Sequence, residues 1–117
     1  QQKRPILINF SGSDWCGWCI KLDKEEFSKP AFQAFAEKRL VPVLADFPSR
    51  TKLSEELTRQ NKQLAQTYEV RGFPTVLLLD AEGKVLARTG YQPGGPDAYI
   101  KHLKTLLDEA GTTPEKS

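Results

Sequence analysis

Cys16 and Cys19 stand in the run Trp15-Cys16-Gly17-Trp18-Cys19, with two residues between the sulfurs. At that spacing on a helix the second thiol lies on the same face one turn below the first, within reach of it or of a mixed disulfide formed there. The apolar run Ile6 to Phe10 and the turn residues Ser11-Gly12-Ser13 come just before, so the first sulfur is expected where a helix begins. Unpaired backbone N–H groups and the positive end of the helix dipole at such a start favour a thiolate. Cys16 is therefore expected to be an exposed, acidic nucleophile and Cys19 its resolving thiol, the chemistry of thiol–disulfide exchange.

Two other uses of the pair are weaker. A purely structural disulfide closing so short a loop removes little chain entropy from the unfolded state. A zinc site needs about four Cys or His ligands, whereas the chain has two Cys and one His, His102, on the last helical stretch. His102 is read as a solvated helix residue, and no metal site is expected.

The elements that position the pair follow from hydrophobic periodicity. Ile6 to Phe10 reads as a short strand buried on both faces, which implies a central place in a sheet. Helices are expected at roughly 16 to 28 and, with Pro30 in its first turn, at roughly 30 to 39, with Phe32, Phe35 and Ala36 inward. The stretch 40 to 47 is the next strand; Pro42 cannot donate to a ladder and argues for an edge. Leu53, Leu57, Leu64 and Tyr68 form one stripe of a helix over roughly 53 to 68. Thr75 to Leu79 and Val85 to Arg88, joined by Asp80-Ala81-Glu82-Gly83-Lys84, read as a hairpin. Tyr99, Ile100, Leu103, Leu106 and Leu107 define a final amphipathic helix, and a frayed tail is expected over 111 to 117. The order β-α(α)-β-α-β-β-α predicts an α/β fold with a mixed four-stranded sheet flanked by helices. The three helix-linked strands are expected to be parallel and the last to be a hairpin partner.

The 117 residues suit one domain, with an ordered core over about 5 to 110. A hydrophobic fraction of 38% and a charged fraction of 27% are those of a soluble globular chain. No apolar run approaches the ~18 residues of a membrane span. The net charge of +2 is scattered rather than gathered on an arm, so nucleic acid is not an expected partner. The sequence has no Met and begins Gln1-Gln2-Lys3-Arg4, as expected if a leader such as a signal peptide has been removed.

Three ordered motifs carry a family resemblance: Phe10-Ser11-Gly12-Ser13-Asp14-Trp15-Cys16-Gly17-Trp18-Cys19, then Val70-Arg71-Gly72-Phe73-Pro74-Thr75, then Gly90-Tyr91-Gln92-Pro93-Gly94-Gly95. Over about Pro5 to Leu107 the chain resembles the thioredoxin superfamily. Within it the chain is similar to the secreted or periplasmic disulfide oxidoreductases of bacteria, of the DsbH and DsbD end-domain kinds. The resemblance implies a thioredoxin-like fold and catalysis by Cys16 and Cys19, with no cofactor. Pro74 is implied to be the cis-proline facing the pair, a bond type that folded proteins hold through tertiary contacts. Phe73 is implied to pair its backbone with an extended substrate, and Gly90 to be the small residue beside the groove. Trp15 and Gly17 are placed with them, and Trp18 is expected to tune the thiol and touch partner protein. Disulfide-containing proteins are the implied substrates, a membrane or soluble thiol the implied electron donor, and a monomer the expected state.

Two departures from the thioredoxin pattern stand out. Asn9 occupies the place of the usual buried Asp, so removal of the Cys19 proton falls to Asp14, Glu25, Glu26, Asp46 or water. The usual first strand is lacking, which leaves the strand over 40 to 47 on an edge, and the loop Pro48 to Lys52 is longer. The resemblance favours a reductase in the periplasm. An isomerase or oxidase, a peptide-binding module without catalysis, and a peroxidase-like thiol enzyme are the rivals, the last without an acid or Arg constellation near Cys16.

Overall fold

The computed structural model describes residues 4–48 and 52–110. The expected tail at 111–117 and the middle of the long loop, 49–51, lie outside the described residues.

Strand β1 (Ile6–Ser11) lies inside the sheet, parallel to β2 (Val41–Asp46) on one side and antiparallel to β3 (Thr75–Leu79) on the other. Strand β4 (Val85–Thr89) pairs antiparallel with β3, giving the order β2-β1-β3-β4. Its runs are continuous because both faces are covered. Leu7, Val76 and Leu78 pack with Leu22, Phe32, Ala36, Tyr99, Leu103 and Leu107, while Ile8, Phe10, Ala45, Leu77 and Leu79 face Leu64, Ala65 and Tyr68. With β2 at the edge, Pro42 sits opposite Leu7 without costing an inner ladder its donor.

The direction of β3 corrects the expectation of three parallel strands. Ser11 pairs with Asp46 and Phe10 with Thr75, so the chain leaves β2 and enters β3 at the same end of the sheet. Helix α3 (Glu55–Thr67) lies within a connection that departs and returns at one end instead of carrying the chain down the strand length. A helical connection is needed to join parallel neighbours, but its presence does not impose them. Val76 pairs with Thr89, which brings the exit of β4 to that end too. The segments after β1, before β3 and after β4 therefore converge.

Helix α1 (Gly17–Leu22) continues as a π-helical turn, Asp23–Phe27, where one α-helix over 16 to 28 was expected. Helix α2 (Pro30–Arg39) buries Phe32 and Ala36 and half-buries Phe35. The stripe read on α3 holds only toward its C-terminal end. Leu57 is exposed, and Asn61 takes the inner position, donating from Nδ2 to the Asp46 carbonyl at 2.9 Å. A polar side chain is tolerated there because it satisfies the last carbonyl of an edge strand.

Helix α4 (Gly95–Glu109) buries Tyr99, Leu103 and Leu107 and half-buries Ile100 and Leu106. His102 is not solvated as expected: it is half-buried, with Nε2 at 2.8 Å from Thr89 Oγ1, and burial lowers its pKa. Tyr99 meets Phe27 and Phe32 edge-on and donates its hydroxyl to the Gly90 carbonyl at 2.8 Å. The core is thereby tied to the convergent end of the sheet.

Candidate active site

The turn that carries the cysteines is fixed at both flanks. Cys16 N–H and Trp15 N–H donate to the Gly12 carbonyl at 2.9 and 3.1 Å. Ser13 donates its N–H (3.0 Å) and its hydroxyl (2.6 Å) to the Asp46 carboxylate at the end of β2. The Trp15 indole N–H donates to the Phe47 carbonyl at 2.6 Å. A Cβ at residue 12 would run into that indole, 2.7 Å from Nε1, so the close approach of ring and backbone requires Gly12.

Cys16 is the N-cap of α1 and uses its sulfur for the task. Its Sγ accepts the Cys19 N–H at 3.2 Å, in the way a capping Ser or Asp oxygen would. Cys16 and Cys19 are joined as a disulfide with their Cα atoms 5.2 Å apart. The Cys19 sulfur accepts the Gly12 N–H at 3.4 Å. Each sulfur thus faces one backbone donor. Cys16 was expected to be exposed, but in this oxidised state it is 8% exposed, against 3% for Cys19, because its sulfur is bonded inward to its mate.

Aromatic rings stand on both sides of the pair. Trp15 meets Phe73 edge-on, with centroids 5.7 Å apart, and Phe73 packs on Phe47 at 5.2 Å. The Phe73–Pro74 peptide is cis. Gly90 lies against Pro74: a Cβ there would sit 3.3 Å from the Pro74 carbonyl oxygen. On the other side Trp18, 59% exposed, tilts over Tyr91 at 5.4 Å. Gly17 opens onto free space, so a substituent there meets no neighbour. Trp15 and Phe73, Pro74 and Gly90, and Trp18 with a residue beside Gly90 are thus brought together at one sheet end. Phe47 and Tyr91 were missed as site residues, although Tyr91 stands in the third motif and Phe47 closes the stretch read as the second strand.

The acids considered for Cys19 fall into different environments. Asp46 is engaged by Ser13, as above. Glu25 accepts the Tyr91 hydroxyl at 2.5 Å and pairs with Lys21 at 3.1 Å; these two partners hold its carboxyl below the ordinary range. Glu26 is 0% exposed, on the inner face that also carries Cys19 and Leu22, and burial pushes its carboxyl up to about 7 despite the nearby Gly95 amide. Neither Glu26 oxygen has a hydrogen-bond partner among the described residues, and the same holds for Asn9 Oδ1.

Comparison with known proteins gives one consistent answer. Disulfide bond reductase DsbH of Chlamydia pneumoniae is 43% identical over 107 residues, covering 92% of this chain and 64% of DsbH. Thiol:disulfide interchange protein DsbD of Vibrio vulnificus is 28% identical over 112 residues, which is 16% of its own length. The chain thus spans just under two thirds of the first relative and a small part of the second. The solved structure of a DsbH oxidoreductase superposes with a TM-score of 0.88 at 42% identity, covering 92% of this chain and 75% of that one. A thioredoxin-fold protein from Helicobacter pylori, at 17% identity and a TM-score of 0.66, shares the fold. Residues 1–107 match the thioredoxin-like domain family, and the chain belongs to it.

Proposed function

We propose that this chain is a protein-disulfide reductase working by dithiol–disulfide exchange. The observation that carries the reading is the pair of sulfurs at the start of α1, each facing a backbone N–H. In the reduced protein the Cys16 thiolate attacks one sulfur of a substrate disulfide. A new S–S bond forms to that sulfur, the old one breaks, and the other substrate sulfur leaves as a thiolate that takes a proton from water. Cys19, deprotonated, then attacks the Cys16 sulfur, closing the intramolecular disulfide and releasing the second substrate thiolate. Two electrons pass from protein to substrate, and the Cys16–Cys19 disulfide described here is the product state.

The Cys19 N–H facing Cys16 supports the assignment of the first sulfur as nucleophile, since a donor stabilises the thiolate more than the thiol. The Gly12 N–H would stabilise Cys19 as it ionises, its proton passing to water or a nearby carboxylate, since the Asn9 amide cannot accept it. Trp15, Gly17, Trp18, Phe73, Pro74 and Gly90 form the substrate groove, with the Phe73 backbone pairing to an extended peptide. The reducing direction rests on the similarity to DsbH. The same similarity supports a periplasmic or secreted setting, disulfide-bonded proteins as substrates and a membrane or soluble thiol as electron donor. A single-domain monomer completes the proposal.

Insulin reduction in dithiothreitol tests the activity: precipitation of the B chain should begin well ahead of the reagent alone. No acceleration would reduce the chain to a binding module. A glutathione redox titration tests direction; a potential near −270 mV, about that of thioredoxin, is expected, and one near −120 mV, about that of a strong oxidant, would reverse it.

A further inference from the structure

Trp18, Lys21 and Glu25 recur at helical spacing and share one face of the segment that begins at Cys16. All three converge on a single side chain. Trp18 tilts over the Tyr91 ring at 5.4 Å, the Lys21 ammonium lies 5.9 Å from its centroid, and Glu25 accepts its hydroxyl at 2.5 Å. Lys21 also pairs with Glu25, closing the cluster.

Tyr91 is bonded to Gly90, which lies against the Pro74 carbonyl and whose own carbonyl is held by Tyr99. The backbone at Gly90 is therefore anchored to the core by Tyr99 and to the cysteine helix by Tyr91. These two attachments fix the distance between the helix bearing Cys16 and the segment facing it. Trp18 is a large exposed ring, and Tyr91 is the aromatic side chain it packs against.

We infer that Tyr91, held by Glu25, is a positioning residue that sets the spacing of the groove and braces Trp18 as one of its walls. The wall favours disulfides carried in an extended polypeptide with an apolar side chain beside the half-cystine, because such a chain must lie between Trp18 and Gly90. A small disulfide needs only to reach the Cys16 sulfur. The hydroxyl-to-carboxylate bond is charge-assisted and so outlasts a neutral one. It lasts across the neutral range, since Tyr91 is pushed up to about 12 by Glu25 while Glu25 is lowered by Tyr91.

The inference rests on the reductase reading, and one set of assays separates the two. Steady-state kinetics on insulin and on glutathione disulfide, with dithiothreitol as donor, would be measured for wild type, Tyr91→Phe, Glu25→Ala and Glu25→Gln. For Tyr91→Phe and Glu25→Ala the KM for insulin should rise and the ratio of kcat/KM for insulin to that for glutathione disulfide should fall, about fivefold as befits one lost hydrogen bond. Glu25→Gln keeps an acceptor and should restore most of the ratio. An unchanged ratio in Tyr91→Phe, or equal losses on both substrates, would overturn the positioning role. Wild type inactive on both disulfides would overturn the reductase reading itself.

Discussion

Cys16→Ser should reduce insulin no faster than dithiothreitol alone, while Cys19→Ser, reduced beforehand and freed of dithiothreitol, should stop after one event and accumulate as a mixed disulfide. The asymmetry follows from the positions of the sulfurs. Cys16 caps the helix and is the more accessible of the two, so it makes the intermolecular attack. Cys19 lies beneath it and only ever attacks the sulfur of Cys16. A serine hydroxyl at residue 16 is not ionised near neutrality and cannot form the intermediate, so activity is lost whole and not in part. With serine at 19 the intermediate has no internal exit, and mass spectrometry of the acid-quenched reaction should show protein plus one whole insulin molecule, whose chains are still joined by their other interchain disulfide. The reverse pattern, trapping in Cys16→Ser and not in Cys19→Ser, would exchange the two roles.

The second large effect concerns stability. Glu26 is buried beside Tyr99 and the Gly95 amide, next to Glu25 in sequence, and its carboxyl is raised from 4.5 to about 7 by burial. Below the lower value both folded and unfolded chains hold the proton. As pH rises from about 4.5 to about 7 the unfolded chain gives it up first, so stability falls, and above that range the loss is constant. With each tenfold in proton affinity worth about 1.4 kcal/mol, the loss is on the order of 3 kcal/mol at pH 8. Glu26→Gln keeps the shape without the charge. Urea unfolding should find it close to wild type at pH 4 and more stable by about that amount at pH 8. Equal stabilities at both pH values would mean that the carboxyl is as well solvated folded as unfolded.

Much of this was legible in the sequence where residue type and spacing agreed. The two apolar runs at Ile6 and Thr75 could only be strands covered on both faces, and Pro42 marked the sheet edge correctly. The direction of β3 was not legible, because a helix-containing connection fits a parallel or an antiparallel neighbour and only the return to the same sheet end decides. On α3 the rule that apolar residues face inward misled: Asn61 is inside because a strand-end carbonyl needs a donor, and Leu57 is outside. Glu26 was named only among several acids for Cys19, and its burial was hidden for the opposite reason. Its spacing from Cys19 and Leu22 puts it on their buried face, yet a charged run such as Asp23 to Glu26 reads as a solvated surface. Of the site, the motifs marked the segments that meet. The Tyr91 to Glu25 bond joins residues 66 apart, a pairing that neither periodicity nor motif spacing encodes.

The proposed chemistry requires that the Cys16 sulfur be ionised more readily than an ordinary thiol and more readily than its neighbour. The direct measurement is the pH dependence of iodoacetamide alkylation of the freshly reduced protein, with the modified cysteine identified by peptide mass. Alkylation confined to Cys16, with a midpoint at least one pH unit below the ~8.5 of a free cysteine, is the expected result. Equal rates at Cys16 and Cys19, or a Cys16 midpoint at or above the free value, would contradict it.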